Sequence, residues 1–209
     1  MRKLITVVSA IALLATTLAA TPPPAGVFSA VSADPITFNI DPMHSSIGFR
    51  VRHLGLSRVN GTFRSFQGSF TYDPDDPTNS NVSVTVDLGS IDTGVERRDN
   101  HLRSADFFDV ETYPTMMFES TEVRVVDAEH LEIVGDLTIH GITKSVTFEA
   151  EFLGMAPRRG GQTSAFEATA RVNRHDFDLT WNMLQEGLQI VGDDIDITIQ
   201  IEANTPRQR

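Results

Sequence analysis

A chain of 209 residues with 17 basic and 28 acidic side chains, a formal charge of −11 and no cysteine can build one ordinary domain whose core needs neither disulfide nor metal. The acidic balance excludes a nucleic-acid surface, which needs clustered positive charge to displace counterions, and it excludes docking on anionic lipid by charge alone. Without cysteine there is no thiol nucleophile and no lipoprotein anchor, so packing and backbone pairing must hold the fold.

Arg2 and Lys3 precede an uncharged apolar run, Leu4 to Ala20, and a small, proline-containing stretch that ends Val31-Ser32-Ala33 before Asp34. This three-part layout reads as a secretory signal peptide over residues 1–33, cleaved near Ala33. The rival reading is a retained membrane anchor. The mature domain, 34–209, is then periplasmic or secreted and carries no membrane span.

From residue 46 onward the apolar residues recur with period two. Ile47, Phe49, Val51 and His53 share one parity, followed by Phe66, Gly68, Phe70 and Tyr72, and by Val82, Val84, Val86 and Leu88. Such alternation marks half-buried antiparallel strands. Asp73 to Thr78 is a turn cluster. Ile91 to Ser104 lacks the alternation, and Thr93-x-x-Glu96 is a capping-box pattern, which predicts one short helix near 95–103.

Thr115 to Val126 changes parity between Met116/Phe118 and Val123/Val125, which predicts a bulge near Ser120–Thr121. Leu131 to Ile139 resumes the alternation and His140-Gly141 reads as a two-residue hairpin turn. Val146 to Phe152, Phe166 to Val172 and Ile195 to Ile201 complete the set, with Gly154 to Gln162 read as a long exposed loop. About eight strands with one helix suit a sandwich or a barrel. The barrel removes exposed edges and fits meander connections, so the fold class is all-β: an eight-stranded antiparallel barrel with one short inserted helix. Eight strands enclose a space just wide enough for side chains or one small ligand. Glycines at 48, 61, 68 and 135, of which 48 lies on the polar parity, and the inward Ala150, Ala168 and Ala170 leave room in it.

Several motifs go further. Asp41-Pro-Met-His44-Ser-Ser-Ile-Gly-Phe49, Val51-Arg-His53-Leu-Gly and Val59-Asn-Gly61-Thr-Phe63 open the series. Ser90-Ile-Asp92-Thr-Gly94, Arg98-Asp99-Asn-His101-Leu102 and Asp106-Phe107-Phe108-Asp109 follow. Tyr113-Pro114-Thr115, Gly135-Asp-Leu-Thr-Ile-His140-Gly-Ile-Thr-Lys144 and Asn173-Arg174-His-Asp176-Phe177 complete it. In this order, over about residues 36–203, the chain resembles the YceI-like family. The resemblance implies a lipocalin-like barrel, periplasmic or extracellular, that holds a polyprenyl chain or an isoprenoid quinone. It also implies links to isoprenoid handling and stress response, and homodimers among its members. Two departures stand out: Asp178 replaces an expected glycine, and Thr180 to Leu184 is more apolar than the family pattern.

A polyprenyl chain offers almost no hydrogen bonds, so its site should be long, apolar and nearly uncharged, and affinity should grow with length. Candidate lining residues are Phe49, Val51, Phe63, Phe70, Val84, Val86, Met116, Phe118, Leu137, Ile139, Phe148, Phe166 and Ile197, with Leu102, Phe107 and Phe108 at the mouth. Ordinary core packing is the plain alternative for each. His53, on the apolar parity, is either a satisfied core histidine or a polar contact for a quinone ring or head group.

The other histidines lack metal-ligand spacing, although His44, His101 and His140 sit in turn motifs that a fold can bring together. No metal and no cofactor beyond the bound lipid is expected. Arg98, Asp99, Asp106, Asp136, Asn173, Arg174 and Asp176 read as caps and loop braces. No Gly-x-Ser-x-Gly, Ser-x-x-Lys or cysteine nucleophile is present, so no catalysis is expected. Arg158 and Arg159 are solvated or approach lipid phosphate. The readings that remain are a lipid carrier or store, a fully packed interaction barrel without ligand, and an enzyme acting on an isoprenoid lipid.

Overall fold

The structure, a computed structural model, describes residues 34–185 and 187–206. The predicted leader, residues 1–33, lies outside them. In chain order the elements are β1 (Ile36–Ile40), β2 (Ser46–His53), β3 (Ser57–Phe63), β4 (Phe66–Tyr72), β5 (Asn81–Asp87), β6 (Ile91–Asp92), α1 (Glu96–Arg103), β7 (Thr115–Val125), β8 (His130–Ile139), β9 (Ile142–Arg158), β10 (Gly161–Asn173), β11 (Leu184–Gln185), β12 (Leu188–Gln189) and β13 (Val191–Asn204). Among the described residues, one α-helix and a sheet paired antiparallel throughout match the expected class, and α1 falls within the predicted window.

Eight strands form a closed ring in the order β1-β4-β5-β7-β8-β9-β10-β13, with β13 returning to β1. The closing contact is short, Asn39 opposite Asn204 and Ile40 opposite Ala203. β13 can close the ring and still serve another strand because it is long. Between Val191 and Gln200 it pairs with β2, and only its last residues reach β1. β2, β3 and β6 therefore branch from the ring as a side sheet.

The alternation read from sequence orients the strands as expected. Phe66, Phe70 and Tyr72 of β4 are buried, as are Val86, Leu137, Ile139, Phe148 and Val172. Aromatic rings continue across strands: Phe38 on Phe70 at 5.0 Å, Phe70 against Phe166 at 5.2 Å, and Tyr72 on Phe152 at 4.9 Å between centroids. Each such pair contributes about 0.5–1.5 kcal/mol beyond the area it buries.

The turns follow from local chemistry. His140 and Gly141 both have positive φ, 53° and 74°, and join Ile139 to its partner Ile142, the twist-compatible two-residue hairpin. The predicted bulge in β7 is present, with the register shifting between Ser120 and Glu122. Asp178, the departure from the family's glycine, sits in the left-handed region at φ 59°, a conformation that aspartate tolerates better than most side chains.

Two expectations fail. Gly154 to Gln162 is not a long loop: β9 runs to Arg158, β10 begins at Gly161, and only Arg159 and Gly160 turn the chain. A second bulge explains the misreading. Gly154 pairs with Ala165 and Phe152 with Phe166, so Leu153 is the extra residue and is 53% exposed, which breaks the apolar parity. The capping box also fails, because Val95 is the N-cap and makes no side-chain cap bond. Thr93 instead donates its N–H and its hydroxyl to Asp99.

Candidate functional site

Two apolar cavities lie against the inward faces of the ring, one within it and one between it and the side sheet. The larger, about 140 Å³, lies inside β4, β5, β7, β8, β9, β10 and β13. The smaller, about 110 Å³, lies between the β2–β3 sheet, β13, the segment after α1 and the segment after β10. Ile47, Met116 and Ile197 line both and stand between them.

The predicted lining residues divide between the two. Phe70, Val84, Val86, Phe118, Leu137, Phe148 and Phe166 line the larger cavity. Phe49, Val51, Phe63, Leu102, Phe107, Phe108 and Ile139 line the smaller, and Met116 and Ile197 line both. His53 lines neither. It has the expected parity but lies in the last pair of β2, opposite Ser57, where the strand runs out into its hairpin turn. A quinone contact through His53 is therefore not what the fold provides.

Parity could also have named Ile47, Ile195, Ile199 and Ile201, which line the cavities as well. Arg174, Phe177 and Leu179 had no such signal, because they come from a single 3₁₀ turn and its exit. The small inward residues do not all leave room. A side chain on Gly61 would collide with the Phe49 ring, and one on Gly135 with the Phe118 ring. These two glycines receive aromatic rings. Ala150 and Ala168, which pair across β9 and β10, do face the larger cavity, whereas Ala170 lines neither.

The one charged group on either lining is Arg174, whose side chain is only 3% exposed. It braces the segment that follows it. Nε donates to the Gly192 carbonyl at 3.0 Å, one terminal nitrogen to the Leu179 and Trp181 carbonyls, and the other to Asp193 at 3.3 Å. Desolvation lowers its pKa, and the neighbouring Asp193 opposes that shift. With its donors turned to backbone carbonyls, the guanidinium pins the end wall of the smaller cavity and presents no free polar head to it.

Two of the remaining polar candidates serve as braces. Arg98 donates to the Thr93 hydroxyl and carbonyl, and the Asn173 side chain caps the 3₁₀ turn at His175. The three turn histidines do not meet. His101 bonds Asp106 at 2.9 Å and packs edge-on against Trp181, and His140 packs on Tyr113. His44 contacts Asp41 at 3.0 Å. That hydrogen bond is the main cause of a raised His44 pKa and of a lowered Asp41 pKa. Among the described residues, Asp41, His44 and Glu202 are the only three metal-capable side chains with ligand atoms within 4.8 Å of one another. His44 is well exposed, and Asp41 already accepts from His44, Asn204 and the Met43 N–H. Arg158, offered above as a lipid-phosphate contact, donates to the Thr205 carbonyl.

Comparison with known proteins agrees with this architecture. The model of the YceI-like domain matches residues 38–203. Protein YceI of Escherichia coli O157:H7 is 39% identical over 178 residues, 84% of this chain and 90% of that protein. The crystal structure of the Campylobacter jejuni YceI protein superposes with a TM-score of 0.66 at 32% identity, covering 75% of this chain and 90% of that one. A polyisoprenoid binding domain from Saccharophagus degradans, implicated in plant cell wall breakdown, shares the fold with a TM-score of 0.61 at 13% identity, over 82% of this chain and 99% of that one. The chain belongs to the YceI-like family.

Proposed function

We infer that the barrel binds one long apolar lipid of the polyprenyl type, isoprenoid quinone included, and carries or stores it without covalent change. The observation that carries this reading is the pair of adjoining cavities, walled by aliphatic and aromatic side chains and meeting at Met116. Water gains little in such a space, whereas a hydrocarbon gains about 25 cal/mol for each Å² it removes from water. A cavity of about 150 Å³ takes up a benzene-sized guest. Two of similar size side by side suit a slender chain that spans both better than a compact guest. Met116, on the wall they share, is unbranched and flexible, so the partition can open around a guest. The polyisoprenoid binding of the Saccharophagus degradans domain, on the same fold, supports the same class of guest.

The site of action follows from the leader reading of residues 1–33: the periplasm or the cell exterior. Native mass spectrometry of the protein recovered from bacterial cells, followed by organic extraction, tests the proposal. A stoichiometric adduct with the mass of a polyprenyl lipid or quinone supports it, and the same spectra report whether the protein is a dimer. Protein that carries no lipid and refuses added long-chain isoprenoids overturns it in favour of a packed interaction barrel.

A further inference from the structure

We propose that the protein docks on an anionic phospholipid bilayer through the tips of two adjoining hairpins, β2–β3 and β11–β12. One backbone hydrogen bond joins the β2–β3 turn to the base of the β11–β12 hairpin: the Leu54 N–H donates to the Ile190 carbonyl at 3.1 Å, and within the second hairpin the Ile190 N–H donates to the Met183 carbonyl at 3.0 Å. From this joined surface four large apolar side chains project into solvent: Leu56 at 81% exposure, Leu184 at 72%, Met183 at 56% and Leu188 at 51%. Scattered exposed apolar residues need no explanation, but four on two bonded hairpins form an apolar cap. Leucine and methionine side chains that project from hairpins fit insertion between lipid head groups better than the flat complementarity of a protein partner.

The charge beside the cap identifies the surface. Arg52 and Arg58 stand directly opposite each other across β2 and β3, both exposed. Neither has an ion-pair partner among the described residues. Like charges placed opposite each other destabilise a sheet, and a row of phosphates would relieve that repulsion. The nearest acids of the β13 bulge do not serve: Asp193 is held by Arg174 and His175, and Asp194 makes no ion pair among the described residues. Glu186, in the β11–β12 turn by sequence, lies outside the described residues. The backbone is also strained at this point. Leu54 has a φ of 54°, a left-handed conformation that a leucine adopts at a cost and that glycine or asparagine would adopt more cheaply.

The cap adjoins the cavity. Val191, which follows Ile190, and Leu179, two residues before Trp181, both line the smaller chamber. Apolar anchors with a local pair of cations overcome the acidic balance of the whole chain, which long-range charge alone does not.

Trp181 is the only tryptophan of the chain and lies two residues before Met183, so it reports the cap without a label. The full chain is mixed with vesicles of phosphatidylcholine and phosphatidylglycerol that carry brominated acyl chains. The expected result is a blue shift and quenching of Trp181 that weakens as salt is raised. Leu184→Asp with Leu188→Asp should reduce partitioning on the order of tenfold or more. Arg52→Glu and Arg58→Glu should each reduce it by about fivefold or more, and pure phosphatidylcholine vesicles should bind correspondingly less. Arg64→Glu, just past the far end of β3 from Arg58, should leave it unchanged. Vesicle binding without Trp181 quenching, equal quenching by neutral vesicles, or indifference to the leucine changes would each overturn the proposal. So would a dimer in ultracentrifugation that dissociates on the leucine changes, because the cap would then belong to a second copy. Because the signal comes from bilayer contact, it is separate from whether lipid cargo is found in the barrel.

Discussion

Phe118 lies across Gly135 on the neighbouring strand: a Cβ on Gly135 would meet the ring at 2.5 Å and would also press on the Glu119 carbonyl. The ring can rotate, but the carbonyl belongs to the β7–β8 ladder and cannot. Gly135→Ala should therefore destabilise the protein by about 1–3 kcal/mol through overpacking, read as a lower urea midpoint with an unchanged slope.

Ala150 and Ala168 face each other across β9 and β10 and look into the larger cavity. Ala168→Phe should fill that space with little loss of stability, because it displaces vacancy and not neighbours. Binding of a fluorescent polyene lipid should fall by about tenfold or more. If affinity is unchanged while the variant stays folded, the guest does not use this chamber.

Arg174 holds three backbone carbonyls and Asp193 from a buried position. Arg174→Met leaves those acceptors without donors and should cost about 3 kcal/mol or more. Arg174→Lys should recover little, since one ammonium cannot span the planar fork of contacts. Thermal or urea unfolding of the two variants checks this.

His44 and His130 have raised pKa values, each mainly through a hydrogen bond to an aspartate, Asp41 and Asp127 respectively. A raised folded-state pKa means that the stabilising contribution is complete below the ordinary histidine value of 6.5 and is lost as pH rises through the raised value. The paired aspartates have lowered values, so their contribution is present above about 3.8 and is lost as pH falls through the lowered value. Stability from these pairs should therefore be greatest between those limits. It should decline above neutral pH, and His44→Asn with His130→Asn should flatten the decline in urea midpoints between pH 5 and pH 9.

Much of this was legible because a half-buried strand writes its orientation into every second residue. Phe66, Phe70 and Tyr72 announce their inward face, and sixteen of the seventeen candidate residues line a cavity. The failures fall where that rule is interrupted. Leu153 is squeezed out of register by a bulge that only pairing with β10 reveals. His53 obeys the parity but lines neither cavity. Arg174, Phe177 and Leu179 come from a 3₁₀ turn, where no period of two exists. The glycines at 61 and 135 looked like vacancy because a single strand does not show the ring that its neighbour lays over it.

The branching of β13 has a consequence for how the molecule comes to be folded. This strand joins β10, β2 and β1, all made before it, and its partners in β1 lie more than 160 residues earlier in the chain. Until it arrives, the sheet is an unrolled ribbon with both margins unpaired and one greasy side uncovered. Pairing across such a span is slow, and the waiting intermediate is the species most prone to aggregate. Variants that delay the docking of β13 should therefore lower the yield of protein far more than they lower the melting temperature of the molecules that do close.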